Sequence, residues 1–150
     1  MGPGSRSTPH LLVVCSLAII AALLVVGAVS HGVVRHVVQT APLWIAIVLG
    51  TRRSELAKWT AVPCFVFWLL LMIAIWMFLL GWARIVTGTY TVTEIAMTIL
   101  VGVASTLGIV VALRMRTATR PVVGAVMLLG VTLLQLVAFR ASLLPAIAHR

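Results

Sequence analysis

Between Trp59 and Trp82 the chain runs without a single charged side chain. At helical rise that stretch reaches about 33 Å, enough to cross the hydrocarbon core of a bilayer. Indole rings favour the boundary between lipid and water, so two Trp side chains bracketing an apolar run are what an anchored span requires. Pro63 falls in the first turn of such a helix, where its missing N–H costs least. A run of this kind admits few folds, because lipid leaves every main-chain polar group to be satisfied internally.

The same pattern recurs along the chain. Leu11 to Val29 carries no charge and is long enough to cross. Ala28-Val29-Ser30 has the small residues of a signal-peptide cleavage site, but the apolar run is long for that role. Val92 to Leu113 is introduced by Thr91-Val92-Thr93-Glu94, a capping-box pattern in which the Thr hydroxyl serves first-turn amides and the Glu reaches back. Inside that span Thr98, Gly102 and Thr106 form one row of small residues, and Ala104, Gly108 and Ala112 form another. Rows of this kind let helices approach closely in lipid. Pro121 to Phe139 completes the clear spans, with Pro121 placed to start a helix and Arg140 able to snorkel at its end.

Composition agrees with the runs. Hydrophobic residues make up 63% of the chain and charged residues 9%, with a mean hydropathy of +1.23. Soluble domains carry about 25% charged residues, so this chain lacks a solvated surface. The net charge of +9 suggests nucleic acid, but its basic residues are scattered singly and in short groups between apolar runs. A nucleic-acid site needs them clustered on one solvated face. Cys15 and Cys64 lie in apolar stretches without metal-ligand or redox spacing and read as small apolar residues. Arg6 stands where a myristoylation signal needs Ser or Thr.

Residues 31–50 are ambiguous. His31, Arg35, His36 and Gln39 fall within about 140° of a helical wheel, opposite Val33, Val34, Val37 and Val38. That stripe suits a helix lying on the membrane. Ala41 to Gly50 is almost wholly apolar, however, and Val33 to Gly50 is just long enough to cross. Arg52-Arg53 follows like a stop signal, which favours a fifth span. Either reading places the loops 51–59 and 114–120 in the cytoplasm, because Arg52, Arg53, Lys58, Arg114, Arg116 and Arg120 then lie inside.

Three groups of residues are candidates for function. Glu94 is the carboxylate nearest the apolar core and could be an ion site, or a helix cap paired with Arg84 or Arg140. Gln39, Thr40 and Pro42, with Ser105, Thr106, Thr132 and Gln135, could line a polar site within the membrane. Pro42 would free the Val38 carbonyl, as in the broken helices of transporters. Ordinary hydrogen bonding between helices accounts for the same residues. Arg52, Arg53, Lys58 and Trp59 suit contact with anionic lipid or a partner at the cytoplasmic surface. The histidines His10, His31, His36 and His149 lie at ends and boundaries. No catalytic constellation, metal set or cofactor motif is present, and two acidic residues leave acid–base chemistry little to work with.

These observations predict an all-α polytopic transmembrane bundle of five spans, or of four plus an interfacial amphipathic helix. The spans fall at about 11–29, 33–50, 60–82, 92–113 and 121–139, in one domain over 11–144 between a disordered tail (1–10) and a C-terminal tail (145–150). Short loops imply that helices consecutive in sequence are neighbours. The expected location is the cell membrane, with the lipid bilayer and either itself or another membrane protein as partner, and no nucleic acid. The expected role is a non-catalytic accessory or structural component; the alternative is a small channel or transporter using the mid-span polar groups and Glu94. Small multidrug transporters are of similar size but rest on an acidic residue in the first span, which Leu11–Val29 lacks.

Overall fold

Each apolar run is a helix. The computed structural model describes residues 8–84, 86 and 88–148. It contains α1 (Thr8–Val29), α2 (Val33–Thr51), α3 (Leu56–Leu79), α4 (Val92–Arg114), α5 (Pro121–Ser142) and the short α6 (Pro145–Ala148), and no strand among the described residues. Helices α1 to α5 are the 5 elements long and apolar enough to cross a membrane. Helix α1 begins inside the stretch read as a tail, α6 occupies the other, and residues 1–7 lie outside the described residues.

Helix α2 is a full member of the bundle. It packs against α1, α5 and α3, and buries Gln39, Thr40, Pro42, Leu43, Ala46, Ile47 and Gly50. A helix lying on the surface would bury only its apolar stripe. Here the buried face begins in the polar stripe and passes into small and apolar residues, so the stripe turns inward. Gly27 of α1 permits the tight approach at the start of α2: a Cβ there would come within 3.0 Å of the His36 ring and of the Val33 Cα.

Round the bundle the order is α1, α2, α5, α3, α4, with α2 also touching α3 across it. The expectation of sequential neighbours therefore fails for α4 and α5, which scarcely meet. The cause lies in the polar loops at one end. Glu55 accepts hydrogen bonds from the Ala118 amide at 2.9 Å and the Thr119 hydroxyl at 3.1 Å. Lys58 donates to the Met115 carbonyl at 2.9 Å. These bonds draw the loop 115–120 over the start of α3. Its reach of roughly 20 Å exceeds one helix diameter, and α5 lands on the far side of α3.

Close packing follows from side-chain size. The Ala104–Gly108–Ala112 row is buried, with Gly108 directly beneath the Phe65 ring of α3. In the other row Thr98 is buried, but Gly102 and Thr106 face outward. The core centres on Ile19, Leu43, Phe65, Trp68 and Val101. Most exposed side chains on the five helices are Val and Leu, as a lipid-facing surface requires.

Candidate functional site

At the end of the bundle opposite Glu55 and Lys58 lies a cavity of about 550 Å³. Its size is that of an ordinary small-molecule site. All five long helices line it. Leu23 and Val26 come from α1 and Ser30 from the turn that follows it; Arg35, His36 and Gln39 come from α2; Trp68, Leu71, Met72 and Ile75 from α3. Glu94, Met97, Thr98 and Val101 come from α4, Phe139 from α5, and Tyr90 with its neighbours from the α3–α4 loop.

Local sequence positions each polar wall. Arg35, His36 and Gln39 sit at helical spacing on one face of α2. Glu94 is set by the expected capping box: its Oε2 accepts from the Thr91 amide at 2.7 Å and the Thr91 hydroxyl at 2.9 Å. The Thr91 hydroxyl in turn accepts from the Glu94 amide at 3.2 Å. Tyr90 is held by its ring against Phe78, centroids 6.1 Å apart. Burial and the nearby Glu94 charge push the Tyr90 phenol above its ordinary pKa, while Arg35 pulls it back. On the apolar side, edge-on contacts from Trp68 to Phe67 at 5.6 Å and from Phe67 to Phe139 at 5.3 Å tie α3 to α5.

Polar groups around the cavity are not all satisfied. Arg35 Nε, His36 Nδ1 and Trp68 Nε1 are buried atoms with no hydrogen-bond partner among the described residues. Trp68 is 1% exposed, and its indole N–H has almost no accessible surface. Guanidinium and indole N–H groups can only donate. Unmatched donors therefore lie within two of its walls, behind the cavity surface.

The polar residues singled out from the sequence do not assemble into one site. Of the mid-span set Gln39 alone lines the cavity. It also donates to Ser142 at 2.9 Å, and Gln135 donates to the Gln39 carbonyl at 3.2 Å, joining α2 to α5. Thr40, Thr106 and Thr132 bond carbonyls of their own helices, those of Val37, Gly102 and Leu128. Pro42 is buried in the core, and Ser105 is buried with no partner among the described residues.

Two further expectations change. Glu94 spends its Oε2 on Thr91; Arg84 and Arg140 are exposed and do not line the cavity, and the cation that shares it with Glu94 is Arg35. Of the surface set, Arg52 and Arg53 are exposed, but Lys58 is tied to Met115 and Trp59 packs on Gly124, where a Cβ would meet the indole at 2.6 Å. Among the described residues no group of three or more His, Cys, Asp or Glu is arranged to hold a metal ion.

Sequence reasoning missed Arg35, His36, Trp68 and Tyr90 as parts of one site. The signal was the polar stripe of α2, which reads equally as a water-facing surface. No protein-family model, curated protein or solved structure matches the chain.

Proposed function

We propose that this multi-pass membrane protein binds a small molecule in the cavity and serves as a membrane-embedded carrier or receptor for it, without chemical turnover. The observation that carries this reading is the set of buried, unpartnered nitrogens on Arg35, His36 and Trp68 around one cavity. Buried donors without acceptors are costly, and ionisable side chains at membrane depth commonly mark a ligand or ion path. Non-catalytic action is supported by the wall hydroxyls. Ser30 and Thr98 donate to main-chain carbonyls, of Val26 at 2.8 Å and Ile95 at 2.7 Å, so neither is activated by a base.

Orientation follows from charge. Arg52, Arg53, Lys58, Arg114, Arg116 and Arg120 gather at the end opposite the cavity. Retention of Lys and Arg in the cytoplasm supports an opening on the other face, toward the outside or the outer leaflet.

The test is to extract small molecules from the purified protein and compare the wild type with Val101→Phe, which fills the cavity wall. A compound retained by the wild type and lost from the variant supports the reading; identical extracts from both would refute it.

A second reading, an accessory subunit docked through its helices, draws on an apolar groove of about 290 Å³ lined by Leu69, Gly102, Val103, Thr106 and Leu107. It requires a stoichiometric protein partner, or a second copy, in native mass spectrometry that Gly102→Leu removes.

A further inference from the structure

Granting that the cavity is a binding site, we propose that its ligand is an amphiphile with an anionic oxygen head, a carboxylate or a phosphate. The head is held at Arg35 and His36, and the apolar part lies along Leu71, Met72 and Ile75. Arg35 lines the cavity, its guanidinium can only donate, and its Nε–H has no acceptor among the described residues, so the group complementary to this wall is an acceptor. Guanidinium groups match carboxylate and phosphate oxygens in geometry as well as charge.

The placement of the groups makes the ligand elongated. Arg35 lies in the first turn of α2, at the cavity mouth, whereas Trp68 lies near the middle of α3. Between Ile75 and Trp68, roughly 10 Å along the helix axis, the α3 wall is apolar. A free anion would fill only the mouth. A molecule with a charged head and an apolar body reaching toward Trp68 fills the whole.

Glu94 is the one negative group on the wall. Its Oε2 is turned into the cap of its own helix, where the amides and the helix dipole offset its charge. It weakens an anion at the mouth without excluding it.

The experiment uses the full chain in phosphatidylcholine nanodiscs, titrated with dodecanoate, dodecyl phosphate, dodecyltrimethylammonium and dodecyl maltoside. Tryptophan fluorescence is read and corrected against empty nanodiscs. One or both anions should bind saturably, at least tenfold more tightly than the cationic and neutral amphiphiles. Arg35→Gln should weaken the anion at least tenfold, Glu94→Gln should tighten it severalfold, and Arg84→Gln should leave it unchanged. Trp68→Phe should remove most of the fluorescence change. If Arg35→Gln does not fold, Arg35→Lys should give an intermediate loss. Preference for dodecanoate identifies a fatty-acid-like head, and preference for dodecyl phosphate a lipid phosphate. Displacement by inorganic phosphate alone, at equal affinity, would overturn the need for an apolar body. Equal binding of cation and anion, or full affinity in Arg35→Gln, overturns the ligand class while leaving a binding cavity. No saturable signal from any amphiphile, with identical extracts from wild type and Val101→Phe, overturns both.

Discussion

Gln135 donates its side-chain amide to the main-chain carbonyl of Gln39 at 3.2 Å, across 96 residues of chain. The Gln39 side chain in turn donates to Ser142 at 2.9 Å, and the Ser142 hydroxyl to the Phe139 carbonyl at 2.7 Å. This clasp fastens α2 to α5 at the cavity wall, one turn from Pro42. It holds the cavity-lining half of α2 against the bundle, where lipid would offer its polar groups nothing.

The clasp should be measurable but modest. A double-mutant cycle on Gln39→Ala and Ser142→Ala should give a coupling of about 0.6 kcal/mol, typical of hydrogen bonds between membrane helices. Unfolding titrations in mixed micelles measure it. A coupling indistinguishable from zero would mean that the two side chains do not act on each other.

Glycines of identical chemistry should behave oppositely. Gly108 lies beneath the Phe65 ring and Gly124 against the Trp59 indole, whereas a Cβ at Gly102 or Gly130 meets nothing within 4 Å. Gly108→Ala and Gly124→Ala should each destabilise by about 1–3 kcal/mol through overpacking. Gly102→Ala and Gly130→Ala should be neutral or slightly stabilising in the same micelle titration, since Ala favours the helix.

Tyr90 is the sole tyrosine of the chain, so its ionisation can be followed directly by ultraviolet absorbance. Burial and Glu94 raise its pKa above the ordinary 10.0, and Arg35 opposes them. The neutral phenol is the form the fold favours. Its contribution to stability is therefore complete below pH 10.0 and is lost as pH rises toward the folded-state pKa. Glu94→Gln should lower the titration midpoint and Arg35→Gln should raise it. Failure of either variant to move it would place that charge away from Tyr90.

Arg53 closes α2 in a left-handed conformation, with φ of 52°. Its amide bonds the Gly50 carbonyl at 3.0 Å, and the Ser54 amide bonds Leu49 at 2.9 Å, a helix C-terminus that glycine makes without strain. Arg53→Gly should stabilise the protein by about 1 kcal/mol. A loss of stability would show that the Arg53 side chain contributes more than its backbone strain costs.

Much of the fold is legible in the sequence because lipid imposes a simple rule: uncharged runs become helices and charged residues mark their ends. The capping box at Thr91 and Glu94, and Pro121 at the head of α5, are local signals and appear as expected. What the sequence hides is long-range. Nothing local says that Glu55 will hold Ala118 and Thr119, so the displacement of α5 past α3 cannot be read in advance. The stripe of Arg35, His36 and Gln39 has the same spacing whether it faces water or a cavity, and only the helices around it decide. Lys58 and Trp59 look like interfacial anchors until their partners Met115 and Gly124 are known.

The cavity exists only if α2 crosses the membrane as one of its walls. The most direct measurement introduces Ser30→Cys or Arg52→Cys into a chain whose buried Cys15 and Cys64 are replaced by Ala, and labels intact cells with a membrane-impermeant thiol reagent. Cys at position 30 should label from outside, and Cys at position 52 only after the membrane is permeabilised. Labelling of both positions from the same side would contradict a membrane-crossing α2, and with it the cavity and everything inferred from its walls.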